Sequence, residues 1–269
     1  MKIGVIQLQG VLEPVENLKK IKDFLKTASE EKAIAVFLPE VFYSISDGTK
    51  PTPYLVEGEN EHFKAIQKLA TDSGLYILGG SAATLVNGKI INRSYNFAPD
   101  GKLITHYDKI NLFTCDLSGH PSNTVIDEGK IFSAGSEPKI MDLEGFKLGL
   151  AICFDLRFPE LFRRYSSEGA NILSISSAFT VPTGKAHWHT LVRARAIENQ
   201  SYVVASAQWG QNNEKVSTYG HSLIVDPWGE VLADAGEGEK IIFATLDKDK
   251  LIQVRSRLNV LRNPRADYM

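Results

Sequence analysis

Cysteine is scarce in this 269-residue chain, which carries only Cys115 and Cys153. Two thiols cannot build a disulfide framework, so the expected setting is a reduced, intracellular one. Long apolar runs are missing as well. None approaches the roughly 18 residues needed to span a bilayer. The opening MKIGVIQLQG has an apolar stretch too short for a signal peptide. Charge of one sign is not in excess: 30 basic and 32 acidic residues leave a net charge of −2. Nothing in that balance asks for nucleic acid or an anionic membrane as a partner. Repeats, low-complexity stretches and linker-like shifts in composition are also lacking. What is present is 43% apolar residues, enough for one large core or two modest ones. The expectation is a soluble, cytoplasmic protein.

Periodicity divides the chain into alternating strands and helices. Buried strands are predicted over 2–8 and 33–40, with a helix over 14–32 whose Val15, Leu18, Ile21, Phe24, Leu25 and Ala28 share a face. A helix over 59–74 closes at Gly74. A strand over 75–84 contains a Gly pair, and 88–109 reads as a hairpin turning at Pro99-Asp100-Gly101. After the strand that runs into Cys153, the pattern predicts a helix over 159–169, a strand over 170–179, a helix over 184–200 and a strand over 201–210. A second hairpin over 219–236 bends at Pro227-Trp228-Gly229, a last strand covers 240–247, and the tail over 255–269 is basic and polar. Hairpins mixed with strand–helix alternation favour one α/β domain over 1–269 with mixed sheets.

Three reactive residues end strands: Glu40 ends AVFLPE, Lys109 ends LITHYDK and Cys153 ends LGLAIC. Ligands of α/β sheets gather beyond the carboxyl ends of strands, so the three can converge. Together they suit acyl transfer. A thiol attacks a carbonyl carbon well only when ionised. A carboxylate within reach can take its proton and later activate water. An ammonium can hold the oxyanion of a tetrahedral intermediate, together with a backbone N–H just past the nucleophile. Each residue taken alone also fits a bland role, Cys153 as a small core residue and Glu40 and Lys109 as solvated loop residues.

The flanking words decide between these. FLPEVFYS, HYDKINLF and AICFDLRFPELFRR resemble, in order, the three signatures of the nitrilase superfamily of carbon–nitrogen hydrolases. The words SSAFTVPTGKAHWHTLVRARAIENQSYVVASAQWG and YGHSLIVDPWGEV are similar to the branch that contains deaminated glutathione amidases. The resemblance implies a four-layer αββα sandwich, two mixed sheets flanked by helices. It implies Glu40 as general base, Lys109 as oxyanion lysine and Cys153 as nucleophile. A second pocket glutamate is implied between the lysine and the cysteine; Glu128 is the first choice and Asp127 the other. The N–H of Phe154 becomes the second oxyanion donor. No metal and no organic cofactor are implied. A homodimer or higher homo-oligomer is, with the tail 254–269 at a subunit interface. Asn111 stands where family members often have His, and the segment 114–129 is expected to line or cover the pocket.

Further residues keep two readings open. Arg157 could bind a substrate carboxylate in a fork, or pair with Asp155 or Glu160. Thr180 and Thr183 could meet the substrate, or cap the helix predicted over 184–200. His187 and His189 in HWH point about 200° apart on a helix and do not chelate alone. Cys115 follows no buried strand, begins a polar loop and carries little weight as a nucleophile. The expected activity is a cysteine-dependent amidase acting on a small linear carboxylate-bearing amide, with deaminated glutathione first, ω-amides such as 2-oxoglutaramate second and N-carbamoyl compounds third. A catalytically idle binding homologue is the competing class, and a His-based cysteine protease lacks a suitable histidine.

Overall fold

A computed structural model describes residues 1–116, 118–119, 125–258 and 260–261. Two sheets face each other, and helices cover their outer faces. The first sheet has seven strands. Lys2–Gln7, Ala35–Phe37 and Tyr76–Leu78 run parallel; Lys240–Thr245 joins the first of them antiparallel, and Lys89–Phe97, Ser81–Val86 and Leu103–Asp108 complete the other side. The second sheet has six strands, with Phe146–Ile152, Ile172–Ser177 and Tyr202–Ala207 parallel at its centre. Helices α1 (Pro14–Glu30) and α2 (Glu61–Ser73) lie on the first sheet; α3 (Pro159–Ser167) and α4 (Val181–Asn199) lie on the second. This is the αββα sandwich.

Both faces of each central sheet are buried, so the strands are apolar runs rather than polar–apolar alternations. The period of two survives in where side chains go. Ala35 and Phe37 join the cluster between the sheets, while Val36 joins the cluster under α1 and α2. The helix boundaries follow local chemistry. Pro14 opens α1, where its missing N–H costs nothing. Asn60 caps α2 by accepting from Phe63 N–H at 3.0 Å, and Gly74 closes it at φ 68°.

Several elements differ from expectation. The strand predicted over 75–84 is two strands, because Gly79 takes φ 76° and Gly80 sits where a Cβ would meet Leu38 and Phe42 at 2.6 Å. Helix α4 begins at Val181 with Pro182 in its first turn, so Thr183 lies inside it and caps nothing; Thr180 holds the cap position, and its hydroxyl bonds Thr183 Oγ1 instead, at 2.8 Å. The strand predicted over 201–210 stops at Ala207, and Trp209–Gln211 leaves to pair with Ser217–Tyr219. The tail carries an unpredicted helix, α5 (Lys248–Arg257). Its Leu251 and Val254 are buried, and Arg255 donates to the carbonyls of Gln200 and Ala170 on its own chain. The rest of the predicted interface tail, residues 259 and 262–269, lies outside the described residues. No helix among the described residues is long and apolar enough to cross a membrane.

Candidate active site

Glu40 and Cys153 follow parallel strands in different sheets, and Lys109 follows the strand Leu103–Asp108. The facing of the sheets brings the three together. Lys109 Nζ donates to Glu40 Oε1 at 2.8 Å and to Glu128 Oε2 at 2.7 Å. Glu40, Lys109 and Cys153 are buried, at 4%, 1% and 6% exposure, and Glu128 is nearly so. Burial works against the Lys109 charge, but Glu128 and Glu40 on either side overcome it and hold the ammonium far above its ordinary range. Burial pushes the Glu40 carboxyl up; Lys109 opposes this and Glu128 adds to it. Burial and the neighbouring Glu40 charge push the Cys153 thiol well up. At rest the cysteine is therefore a neutral thiol, and its attack requires a base rather than a standing thiolate.

Cys153 itself sits in the left-handed region, at φ 48°, between the strand Phe146–Ile152 and a short 3-10 turn, Cys153–Arg157. That conformation is costly for a residue with a Cβ, and it persists only where surroundings enforce it. Asp155 is the enforcing group. Its Oδ2 accepts from Ile152 N–H at 2.9 Å and Tyr107 hydroxyl at 2.7 Å; its Oδ1 accepts from the backbone and side-chain N–H groups of Asn111, both at 2.9 Å. The nucleophile's turn is thus stapled to residues on both sides of Lys109. Arg195 adds to this by donating twice to the Leu156 carbonyl, at 3.0 and 2.8 Å. Glu40 is buttressed from the opposite sheet, where Gln208 Nε2 donates to its carbonyl at 2.9 Å.

Asn92 is the residue that motif reasoning missed. It is 1% exposed. Its Nδ2 donates to Glu40 Oε1 at 2.8 Å and to Glu128 Oε1 at 3.3 Å, and its carbonyl accepts from Lys109 N–H at 3.0 Å. It therefore touches three of the four predicted catalytic residues. Both donors to Glu40 fall on Oε1, and neither engages Oε2. A polar residue in the strand sequence Ile91-Asn92-Arg93 was the only available signal.

Two cavities meet at the sulfur. One, of about 160 Å3, is lined by Glu40, Asn92, Lys109, Glu128 and Cys153, together with Ser44 and Thr52. The other is a recess of about 10 Å3, lined by Phe113, Phe154, Arg157, Phe179, Thr180 and Thr183 beside Cys153. All four expected substrate-binding residues are thus placed in one recess. Asp127 lines the larger cavity but spends its carboxylate on the N–H of Gly129 at 3.1 Å; Glu128 is the acid on Lys109. Ribbon strands Thr114–Asp116 and Val125–Asp127, both within the 114–129 segment, pair beside this cavity, and Cys115 lies in the first of them rather than in a loop.

Arg157 pairs with neither Asp155 nor Glu160. Its guanidinium lies over the rings of Phe154 and Phe179, at 5.7 and 5.3 Å, and meets His187 Nδ1 at 3.3 Å. Asp155 is unavailable because its oxygens hold the turn and Asn111. Among the described residues no carboxylate lies in salt-bridge reach of Arg157.

A neutral thiol, a buried carboxylate, an enclosed ammonium and a cationic recess define a cysteine hydrolase of acyl compounds. A family model of carbon–nitrogen hydrolases matches residues 2–256, and the chain belongs to that family, in the deaminated glutathione amidase-like branch of the nitrilase superfamily. It is 35% identical to omega-amidase NIT2 of Mus musculus, over 99% of this chain and 95% of that one. It is 36% identical to deaminated glutathione amidase of Synechocystis sp., over 97% and 96%. The solved structure of Saccharomyces cerevisiae Nit3, a member of branch 10 of the nitrilase superfamily, superposes with a TM-score of 0.87 at 32% identity, over 98% and 96%. The chain is a carbon–nitrogen hydrolase acting on amides.

Proposed function

We propose that the chain hydrolyses deaminated glutathione, an α-ketoglutaramyl dipeptide, to 2-oxoglutarate and Cys-Gly through a thioester on Cys153. What supports this reading is the arrangement around one sulfur: Glu40 and Lys109 line one cavity beside Cys153, and the Arg157 guanidinium lines the adjoining recess. Glu40 takes the thiol proton as sulfur attacks the amide carbon. Lys109 Nζ and Phe154 N–H hold the oxyanion. Glu40 returns the proton to the leaving amine as the C–N bond breaks, then takes a proton from water attacking the thioester. Glu128 keeps Lys109 in place. Arg157 receives the acyl carboxylate, with Phe113 and Phe154 parting to admit it and Thr180 and Thr183 lining its path.

A second substrate, 2-oxoglutaramate, would form the same acyl-enzyme and release ammonia. The compact 160 Å3 cavity favours it, since the ammonia leaving group needs less room than Cys-Gly. Release of 2-oxoglutarate from each compound separates the two. The proposal expects a higher kcat/KM for deaminated glutathione; the reverse order assigns the chain as an ω-amidase, and no release from either overturns both. Arg157→Leu should lower kcat/KM for carboxylate-bearing amides by roughly 10- to 100-fold, the worth of a hydrogen bond to a charged group. Neutral amides should be hydrolysed as before, and equal losses on both kinds would remove Arg157 from substrate binding.

Asn92 acts as a positioning residue, keeping Glu40 Oε2 free for the thiol and easing repulsion between the two carboxylates. The groups facing Glu40 are Lys109, Glu128 and Cys153. Protonation of Glu40 removes the base, and its raised pKa places that loss above the usual glutamate range. Asn92→Leu should raise it further, moving the acid limb of kcat/KM to higher pH and lowering kcat about 10-fold or more. An unmoved limb in a folded variant would make Asn92 merely structural. We also propose a cytoplasmic location and a homodimer or higher homo-oligomer; exposed Ile197, Trp228, Val231 and Leu232, around the bend where Gly229 abuts Ile197, suit such an interface.

A further inference from the structure

The two histidines of HWH part company in the fold. His187 turns to Arg157. His189 meets two residues from distant segments. Its Nε2 lies 3.1 Å from Asp234 Oδ2, and His221 Nδ1 lies 3.1 Å from Oδ1 and 3.3 Å from Oδ2 of the same carboxylate. The imidazoles meet edge to face with centroids 5.0 Å apart, and the three candidate ligand atoms lie within 4.8 Å of one another. The residues come from α4, from the turn before the strand Leu223–Val225, and from the end of the strand Val231–Asp234.

We propose that His189, His221 and Asp234 form a binding site for a divalent transition metal of the Zn2+ kind, separate from the amidase pocket. Zinc bonds imidazole nitrogen and carboxylate oxygen at about 2.0–2.1 Å. A tetrahedron with such bonds sets its ligand atoms about 3.3 Å apart, and the two nitrogen–oxygen separations on Asp234 Oδ2 are 3.1 and 3.3 Å. Two imidazoles and one carboxylate suit Zn2+, Co2+, Ni2+ or Cu2+, whereas Ca2+ and Mg2+ want oxygen throughout. Three protein ligands leave a coordination position, and the partly exposed side chains open it to water.

The ligands are also oriented. His221 is held at φ 56°; its N–H donates to Gly236 carbonyl at 3.2 Å, its carbonyl accepts from Trp188 Nε1 at 2.7 Å, and its ring stacks on Tyr219 at 4.5 Å. Asp234 Oδ1 accepts from Gly236 N–H at 2.7 Å, which leaves Oδ2 as the ligand atom. The competing state is a carboxylate accepting from two imidazole N–H groups. It needs a proton on both facing nitrogens, where the metal needs their lone pairs, so the two states exclude each other. A bound ion would tie α4 to the hairpin behind it. None of the three residues lines either cavity at Cys153.

The test is a titration of the full-length protein with Co2+ followed by competition with Zn2+. The site predicts a saturable visible d–d band with no sulfur charge-transfer band, its displacement by Zn2+, and a Tm that rises with free Zn2+. His189→Ala, whose ring bonds only Asp234 among the described residues, should weaken binding at least ~10-fold while the metal-free amidase rate stays unchanged. Asp234→Asn, which keeps the side chain's shape but turns one acceptor oxygen into an NH2 donor, should do the same. A sulfur charge-transfer band, no saturable band, or wild-type affinity in both variants would overturn the proposal.

Discussion

Cys153→Ala is expected to abolish amide hydrolysis, with kcat down roughly 10^4-fold or more, as for removal of other covalent nucleophiles. The physical reason is that no other group in the site can form the covalent intermediate. Cys115, the second thiol, lies on a ribbon strand and lines neither cavity. The variant should fold, since alanine keeps the strand end and Asp155 still holds the turn. Substrate binding should persist for the same reason. Circular dichroism, thermal melting and ligand binding on the variant separate lost chemistry from lost structure. Residual turnover within ten-fold of wild type would remove Cys153 from the reaction.

Lys109→Met is expected to damage both activity and stability. The lysine lies between two carboxylates inside the protein, so the cluster holds two negative charges and one positive. Removing the ammonium leaves Glu40 and Glu128 facing each other with only Asn92 between them. Breaking a buried ion pair by deleting one partner costs about 3–5 kcal/mol. The variant should melt well below wild type, and should partly recover at low pH, where the carboxylates become neutral. The sign follows from Glu40: its pKa, already raised by burial and by Glu128, rises further without Lys109, so the folded state binds protons more readily than the unfolded chain and gains stability as pH falls. Glu40→Gln is the contrast. It removes the base but leaves Lys109 matched one to one with Glu128, so activity should fall by about 10^2–10^4 while the melting temperature changes far less. Equal thermal losses in the two variants would contradict this charge balance.

Much of the site was legible because its residues end strands and the words around them resemble the family's signatures. Glu40 and Cys153 follow buried strands, Lys109 follows the half-buried strand Leu103–Asp108, and the sheets' facing does the rest. Asp155 and Asn92 were not legible in that way. Asp155 acts on Tyr107 and Asn111, more than forty residues earlier, and Asn92 acts on Glu40 and Glu128 from the middle of a strand. Their sequence neighbours give no hint of those partners. Arg157 was ambiguous for a related reason: which acid is free to pair with it depends on what Asp155 is already holding. The fold errors have local causes. The Gly pair at 79–80 supplies both a left-handed residue and room against Leu38 and Phe42, and so breaks a strand whose apolar pattern is continuous. Helix α5 hides in polar sequence because it buries only Leu251 and Val254. The start of α4 was displaced by reading Thr183 as a cap, where Pro182 already marks a first turn.

The central claim is that Cys153 carries the acyl group. It is tested most directly by quenching the protein within milliseconds of mixing with substrate and measuring the mass of the Cys153 peptide. Deaminated glutathione and 2-oxoglutaramate differ only in their leaving amine. Both should give the same mass increment on Cys153, that of a 2-oxoglutaryl thioester, which decays as 2-oxoglutarate appears. Turnover with an unmodified Cys153 peptide at every quench time, persisting in Cys153→Ala, would contradict the thioester mechanism.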